Sequence, residues 1–169
     1  MGRAVSNNMC HDSSLAESVI SAAPGRRRLK ILISSVPSDS HIWNLVALQI
    51  LMEDMGHEVV NLGPCVPTEL LMRSCRDEWP DCVVISSING CGHVDGARVI
   101  TALRADAELA GLTVVIGGKL GVRGDADADW HEELVGLGFD AVFPVGAGDD
   151  GNAVRAFRDF LIRHVECVR

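Results

Sequence analysis

A three-layer α/β domain built on a five-stranded parallel sheet is predicted by three observations. Short apolar, β-branched runs alternate with helix-patterned segments along residues 29–165, which implies βαβ units with right-handed crossovers. The first of these runs is apolar almost throughout rather than at every second position, the pattern of a strand covered on both faces. Finally, 169 residues of which 47% are hydrophobic and 22% charged suffice for one full core and exclude a wholly disordered chain.

The elements follow in order. The run Leu-Lys-Ile-Leu-Ile-Ser at 29–34 is the first strand. Over 44–55, Leu45, Leu48, Leu51, Met52 and Met55 recur at helical spacing, and Gly56 suits the position just past the helix end. A second strand at 57–62 leads to a helix at 67–78, with Leu70, Leu71 and Ser74 on one side. A third strand at 82–86 precedes a helix at 94–105, and a fourth at 113–116 is stopped by Gly117-Gly118. A short helix at 130–137, a last strand at 141–143 and a closing helix at 153–165 complete the pattern. Together they fit a flavodoxin-like fold with strand order 2-1-3-4-5. Residues 1–28, rich in Ser and Ala and closed by Pro24-Gly25, read as a flexible N-terminal tail ahead of a single domain at 29–165.

Composition removes several classes of function. A formal charge of −8 argues against nucleic-acid binding, which needs a clustered basic surface; the one basic run, Arg26 to Arg28, reads as a solvated stretch. No apolar run reaches the 18–20 residues or so of a membrane span, and residues 1–14 lack the apolar segment of a secretory signal. The six cysteines, Cys10, Cys65, Cys75, Cys82, Cys91 and Cys167, contain no CxxC pair. A cytoplasmic chain with reduced thiols is expected.

The topology locates a site beyond the carboxyl ends of strands 1 and 3, where the strand order reverses. Three loops land there. In Ser38-Asp39-Ser40-His41-Ile42-Trp43-Asn44, Asp39 can hold one imidazole nitrogen of His41 and leave the other as a metal ligand or base. Alternatively, Asp39 and Ser40 cap the following helix. In Ser86-Ser87-Ile88-Asn89-Gly90-Cys91-Gly92-His93, the hydroxyls either donate to a ligand or satisfy their own turn. Gly117-Gly118 admits a flat or bulky group, or makes a tight turn. The run Gly117-Gly118-Lys119-Leu120-Gly121 is no P-loop, since no Gly-Lys-Ser/Thr opens a helix. A phospho-receiver is disfavoured too, because Ser86 stands where an Asp is required.

Taken jointly, these loops resemble the cobalamin-binding family, and specifically the small subunits of glutamate (methylaspartate) mutases. That family carries Asp-x-His-x-x-Gly after strand 1, Ser-x-Leu at strand 3 and Gly-Gly after strand 4. The counterparts are Asp39-Ser40-His41-Ile42-Trp43-Asn44, Ser86-Ser87-Ile88 and Gly117-Gly118. The segments 59–63, 67–70 and 138–143 are similar as well, so the likeness runs from about residue 29 to 160. It implies that His41 is the axial cobalt ligand in place of the cofactor's own base, with Asp39 orienting it. It further implies that the displaced nucleotide tail runs past Ser86, Ser87 and Ile88 and alongside Gly117 and Gly118. Ser38, Ser40, Ile42, Asn44, Lys119, Leu120, Gly121, Val122, Arg123 and Ala147 complete the implied binding surface. The cofactor would be adenosylcobalamin, and the activity a radical carbon-skeleton isomerisation of L-glutamate to 3-methylaspartate or a close analogue. A chain of this length has no room for a substrate barrel, so a separate large barrel-type subunit is the implied partner.

Four positions depart from the pattern, of which Ile88 for the family's leucine is a mild change. Asn44 stands where the family has glycine and adds bulk beside the tail. Ala147 replaces a hydroxyl-bearing threonine, removing one hydrogen bond of about 1 kcal/mol. A stand-alone corrinoid carrier, a cobalamin-responsive module, or a fold-mate that binds no cofactor are the rival readings. His93, in place of a family carboxylate, reads as a partner contact or an exposed loop residue.

Overall fold

In a computed structural model of the chain, the described residues are 27–122, 128–146 and 151–165, the side chains at 128, 129 and 164 excepted. Strands β1 (Lys30–Ser35), β2 (Glu58–Asn61), β3 (Cys82–Ser87), β4 (Thr113–Gly118) and β5 (Ala141–Pro144) alternate with helices α1 (Trp43–Asp54), α2 (Thr68–Glu78), α3 (Gly92–Ala105), α4 (Ala128–Leu137) and α5 (Asn152–Phe160). A π-helical turn, Leu161–Val165, continues α5. All strands are parallel, in the order β2-β1-β3-β4-β5. Most of the tail, with Cys10 and His11, lies outside the described residues, as do Arg123, Ala147 and Cys167.

Alternation along each strand divides the core in two. Leu32, Val83, Ile85, Val114 and Ile116 pack with Leu71 of α2, Val99, Ile100 and Leu103 of α3, and Leu134 of α4. Their neighbours Ile31, Ile33, Val84 and Val115 face the other way, against Leu45 and Met52 of α1, Phe157 of α5 and Leu161 of the turn that continues it. Burial on both faces is why these strands read as continuous apolar runs.

At the amino edge one device is used twice. Asp81, directly before β3, accepts the Lys30 N–H of β1 at 2.8 Å, and Asp140, directly before β5, accepts the Val114 N–H of β4 at 2.7 Å. Arg27 closes on the first at 2.5 Å. Arg104 closes on the second at 2.9 Å and also donates to the carbonyls of Gly138, Ala110 and Leu112. The strand starts are thereby bolted together, and the carboxyl edge is left to the loops.

Helix α3 begins two residues earlier than its apolar periodicity suggests. A side chain at Gly92 would meet Ser87 Cβ and Leu120 Cδ2 at 2.9 Å, so its absence lets the first turn sit directly on the β3 and β4 loops. The His93 N–H then donates to the Leu120 carbonyl at 2.9 Å. His93 is therefore a helix residue, stacked on Trp130 at 4.9 Å between ring centroids and 2.9 Å from Glu133, rather than an exposed loop histidine.

Candidate functional site

The loop after β1 opens with a turn in which the Asp39 N–H donates to the Val36 carbonyl at 3.1 Å. Ser35 Oγ and the Cys65 N–H both donate to the Asp39 carbonyl, at 2.9 and 2.8 Å. This holds the aspartate's backbone and sends its side chain inward. The side chain is 0% exposed and is met by donors from both loops. Oδ1 accepts the His41 N–H at 3.0 Å and His41 Nδ1 at 2.7 Å. Oδ2 accepts the Ser87 hydroxyl at 3.0 Å, the Ile88 N–H at 2.6 Å and the Asn89 N–H at 3.2 Å.

Burial pushes the Asp39 carboxyl up, but these donors, led by the His41 and Ile88 N–H groups, outweigh it and hold the group below the ordinary carboxylate value. An ionised Asp39 accepts from Nδ1, so Nδ1 carries the imidazole proton and Nε2 keeps its lone pair. The His41 side chain is 54% exposed, and among the described residues Nε2 has no hydrogen-bond partner. This is an oriented, accessible imidazole that could serve as a metal ligand or a base. The capping alternative is not realised: α1 starts after Ile42 with no side-chain cap.

Ser87 is fully buried with its hydroxyl set between Asp39 Oδ2 at 3.0 Å and Asn89 Oδ1 at 3.1 Å, so it stands behind the aspartate as a positioning residue and not on an open surface. Asn89 does related work that the sequence reading missed. Its Nδ2 donates to the carbonyl and hydroxyl oxygens of Ser38 at 2.9 and 3.1 Å, tying the two loops. An amide directly after the Ser-Ser pair, at the same sheet edge, was the available signal. Ser38, Ser40 and Ile42 are exposed around His41, and Trp43 is 80% exposed beside it.

Behind this edge, between the sheet and helices α1 and α5, lies a cavity of about 330 Å³. Leu48 and Leu51 of α1, Val84 and Val115 of the sheet, and Val154 and Phe157 of α5 wall it. Ser86, Ile88, Asn44, Gly117 and Gly118 lie at its carboxyl-edge side. The volume is that of a small-ligand site.

The two glycines have a reason inside the fold. A Cβ on Gly118, whose φ is +104°, would fall 2.1 Å from the Ser87 carbonyl oxygen, and one on Gly117 would fall 3.0 Å from the Phe143 carbonyl oxygen. Backbone packing alone demands glycine at the first and presses it on the second.

The next loop divides. Lys119 and Val122 are exposed, whereas Leu120 belongs to the core under α3. Gly121 lies against the Trp130 ring, where a Cβ would be 1.6 Å from a ring carbon. Thus the structure gathers Asp39, His41, Ser87 and Ile88 at one point and Asn44, Ser86, Gly117 and Gly118 at the cavity, while Leu120 and Gly121 pack inward. Among the described residues no group of three or more His, Cys, Asp or Glu could hold a metal ion, and no helix is long and apolar enough to cross a membrane.

A family model described as B12 binding domain matches residues 29–149. The glutamate mutase sigma subunit of Treponema denticola is 27% identical over 120 residues, covering 71% of this chain and 86% of that one. A cobalamin-binding protein of Desulfitobacterium hafniense superposes with a TM-score of 0.58 at 24% identity, over 78% of this chain and 59% of its own, so the present chain spans about three-fifths of it. A putative response regulator of Chloroflexus aurantiacus superposes almost as well, with a TM-score of 0.57 at 14% identity, over 81% of this chain and all of that one. The fold is therefore common to proteins of different chemistry, and the loops carry the distinction.

Proposed function

This chain belongs to the B12-binding domain family, and from that premise we propose that it is the cobalamin-binding subunit of an adenosylcobalamin-dependent carbon-skeleton mutase of the glutamate/methylaspartate type. The observation that carries the reading is the Asp39–His41 pair: a buried carboxylate 2.7 Å from Nδ1, fixing the imidazole so that Nε2 is the free donor atom. Cobalt takes a neutral imidazole nitrogen well, and a carboxylate on the far nitrogen raises its basicity.

Residue by residue, His41 would hold the cobalt and Asp39 would orient it. Ser87 and Asn89 keep Asp39 and its loop in place. The cavity beside Ser86, Ile88, Gly117 and Gly118 would take the displaced nucleotide tail, whose flat base suits apolar walls. Asn44 Oδ1, buried there without a partner, fits a site that a ligand completes. When bound, the cofactor supplies a cobalt–carbon bond weak enough to break into radicals. Glutamate mutase sigma subunits among the relatives support a partner: a large barrel-type subunit, carrying the amino-acid substrate, would close over the exposed edge around His41, Ile42 and Trp43. The working environment would be cytoplasmic.

The test is spectroscopic. Electron paramagnetic resonance of the Co(II) form, reconstituted on protein with ¹⁵N-labelled histidine, is expected to show nitrogen splitting from the label and none from the cofactor's own base. His41→Ala should lose that splitting and weaken uptake at least tenfold. Unchanged affinity and an unchanged axial ligand in His41→Ala would overturn the assignment.

A further inference from the structure

Asn44 and Ser86 are, among the described residues, the only polar side chains on the wall of the cavity. They bond to each other: Asn44 Nδ2 donates to Ser86 Oγ at 2.8 Å. This leaves two unused groups. Asn44 Oδ1 is buried with no hydrogen-bond partner. The Ser86 hydroxyl, its oxygen already accepting from Asn44, has no acceptor for its own hydrogen among the described residues. A buried carbonyl oxygen facing no donor is costly, and natural interiors rarely keep one. The pair thus offers one acceptor and one donor, side by side, in a space otherwise lined by hydrocarbon.

Resting on the tail-binding role given to this cavity above, we propose that the Asn44–Ser86 pair selects the base at the end of the nucleotide tail. It favours a base whose edge sets an N–H donor beside a ring nitrogen, as an aminopurine does. The exocyclic N–H donates to Asn44 Oδ1 while the ring nitrogen accepts from Ser86. Dimethylbenzimidazole provides a ring nitrogen for Ser86 but carries no N–H, so Asn44 Oδ1 stays unpaired. Phosphate and ribose are poor occupants of this space, because their oxygens would need more partners than two side chains supply.

The experiment titrates the full chain with two cobamides that differ only in the lower base, dimethylbenzimidazole or adenine, and reads dissociation constants from the visible spectrum. The adenine form is expected to bind about tenfold more tightly, the ratio expected of a lost hydrogen bond that strands its buried partner. Asn44→Gly should bring the two constants within about twofold of each other; Asn44→Ala serves the same purpose if the glycine variant does not fold. Equal or tighter binding of the dimethylbenzimidazole form by the unaltered chain overturns the selectivity and leaves corrinoid binding standing. A tenfold preference that survives in Asn44→Gly removes Asn44 as its source. Failure of both cobamides to bind overturns the cofactor role itself, and the selectivity with it.

Discussion

The two faces of the sheet are finished differently. On the side of α2, α3 and α4 the apolar cluster runs unbroken from the strands into the loops, taking in Val36, Val66 and Leu120. On the side of α1 and α5 the packing stops short of the carboxyl edge and leaves a cavity of about 330 Å³. Protein interiors are close-packed, and an empty apolar space forfeits contacts on every wall. In the function proposed above, the nucleotide tail would supply those contacts.

The largest perturbation expected is at the edge both faces share. Gly118→Ala places a methyl 2.1 Å from the Ser87 carbonyl oxygen at a φ of +104°, opposite its β3 register partner. Urea denaturation should record a loss of about 3 kcal/mol or more, and a midpoint unchanged from the unaltered chain would contradict the packing described.

Next comes the polar clamp. Asp39→Asn turns an amide NH₂ toward donors that need an acceptor, at a cost of about 2 kcal/mol and a fall in cobalamin affinity of about tenfold or more. The pH dependence has a definite sign. Because folding lowers the Asp39 pKa, the native state holds the proton less readily than the unfolded chain. The stabilisation is therefore complete above the ordinary carboxylate value, about pH 4, and declines as pH falls below it. Acid unfolding curves should be flatter in this region for Asp39→Asn.

The smallest stability change, and the most informative for the two-face contrast, is Ala153→Phe. This residue lines the cavity, and an added ring would occupy part of that space. The midpoint should shift by no more than about 1 kcal/mol in either direction, while corrinoid affinity falls at least tenfold. Full affinity in this variant would show that the cavity takes no part in binding.

The strands and helices were legible in the residues because burial on two faces leaves a run such as 29–34 apolar, and amphipathic spacing marks α1. Boundaries shifted where the cause lay elsewhere in the chain: α3 starts at Gly92 because of Ser87 and Leu120, neither visible in its own periodicity. At the site, the Asp39–His41 pairing could be read locally, since the partners are two residues apart. The other half of the clamp could not, because Ser87, Ile88 and Asn89 reach Asp39 across nearly fifty residues. For that reason Ser87 was grouped with ligand contacts when it serves the aspartate. Asp81 and Asp140 carried a usable signal, an aspartate directly before each of two strands, that only the paired backbone N–H groups make meaningful.

One consequence follows from where the indole rings lie. Trp43, 80% exposed, sits two residues from His41. Trp79, 62% exposed, ends α2 with a φ of 46° at the opposite rim of the sheet, and Trp130 is shielded against His93. A strongly coloured guest at the imidazole would darken the first ring's emission far more than the second's, so the molecule carries its own optical gauge and its own internal standard.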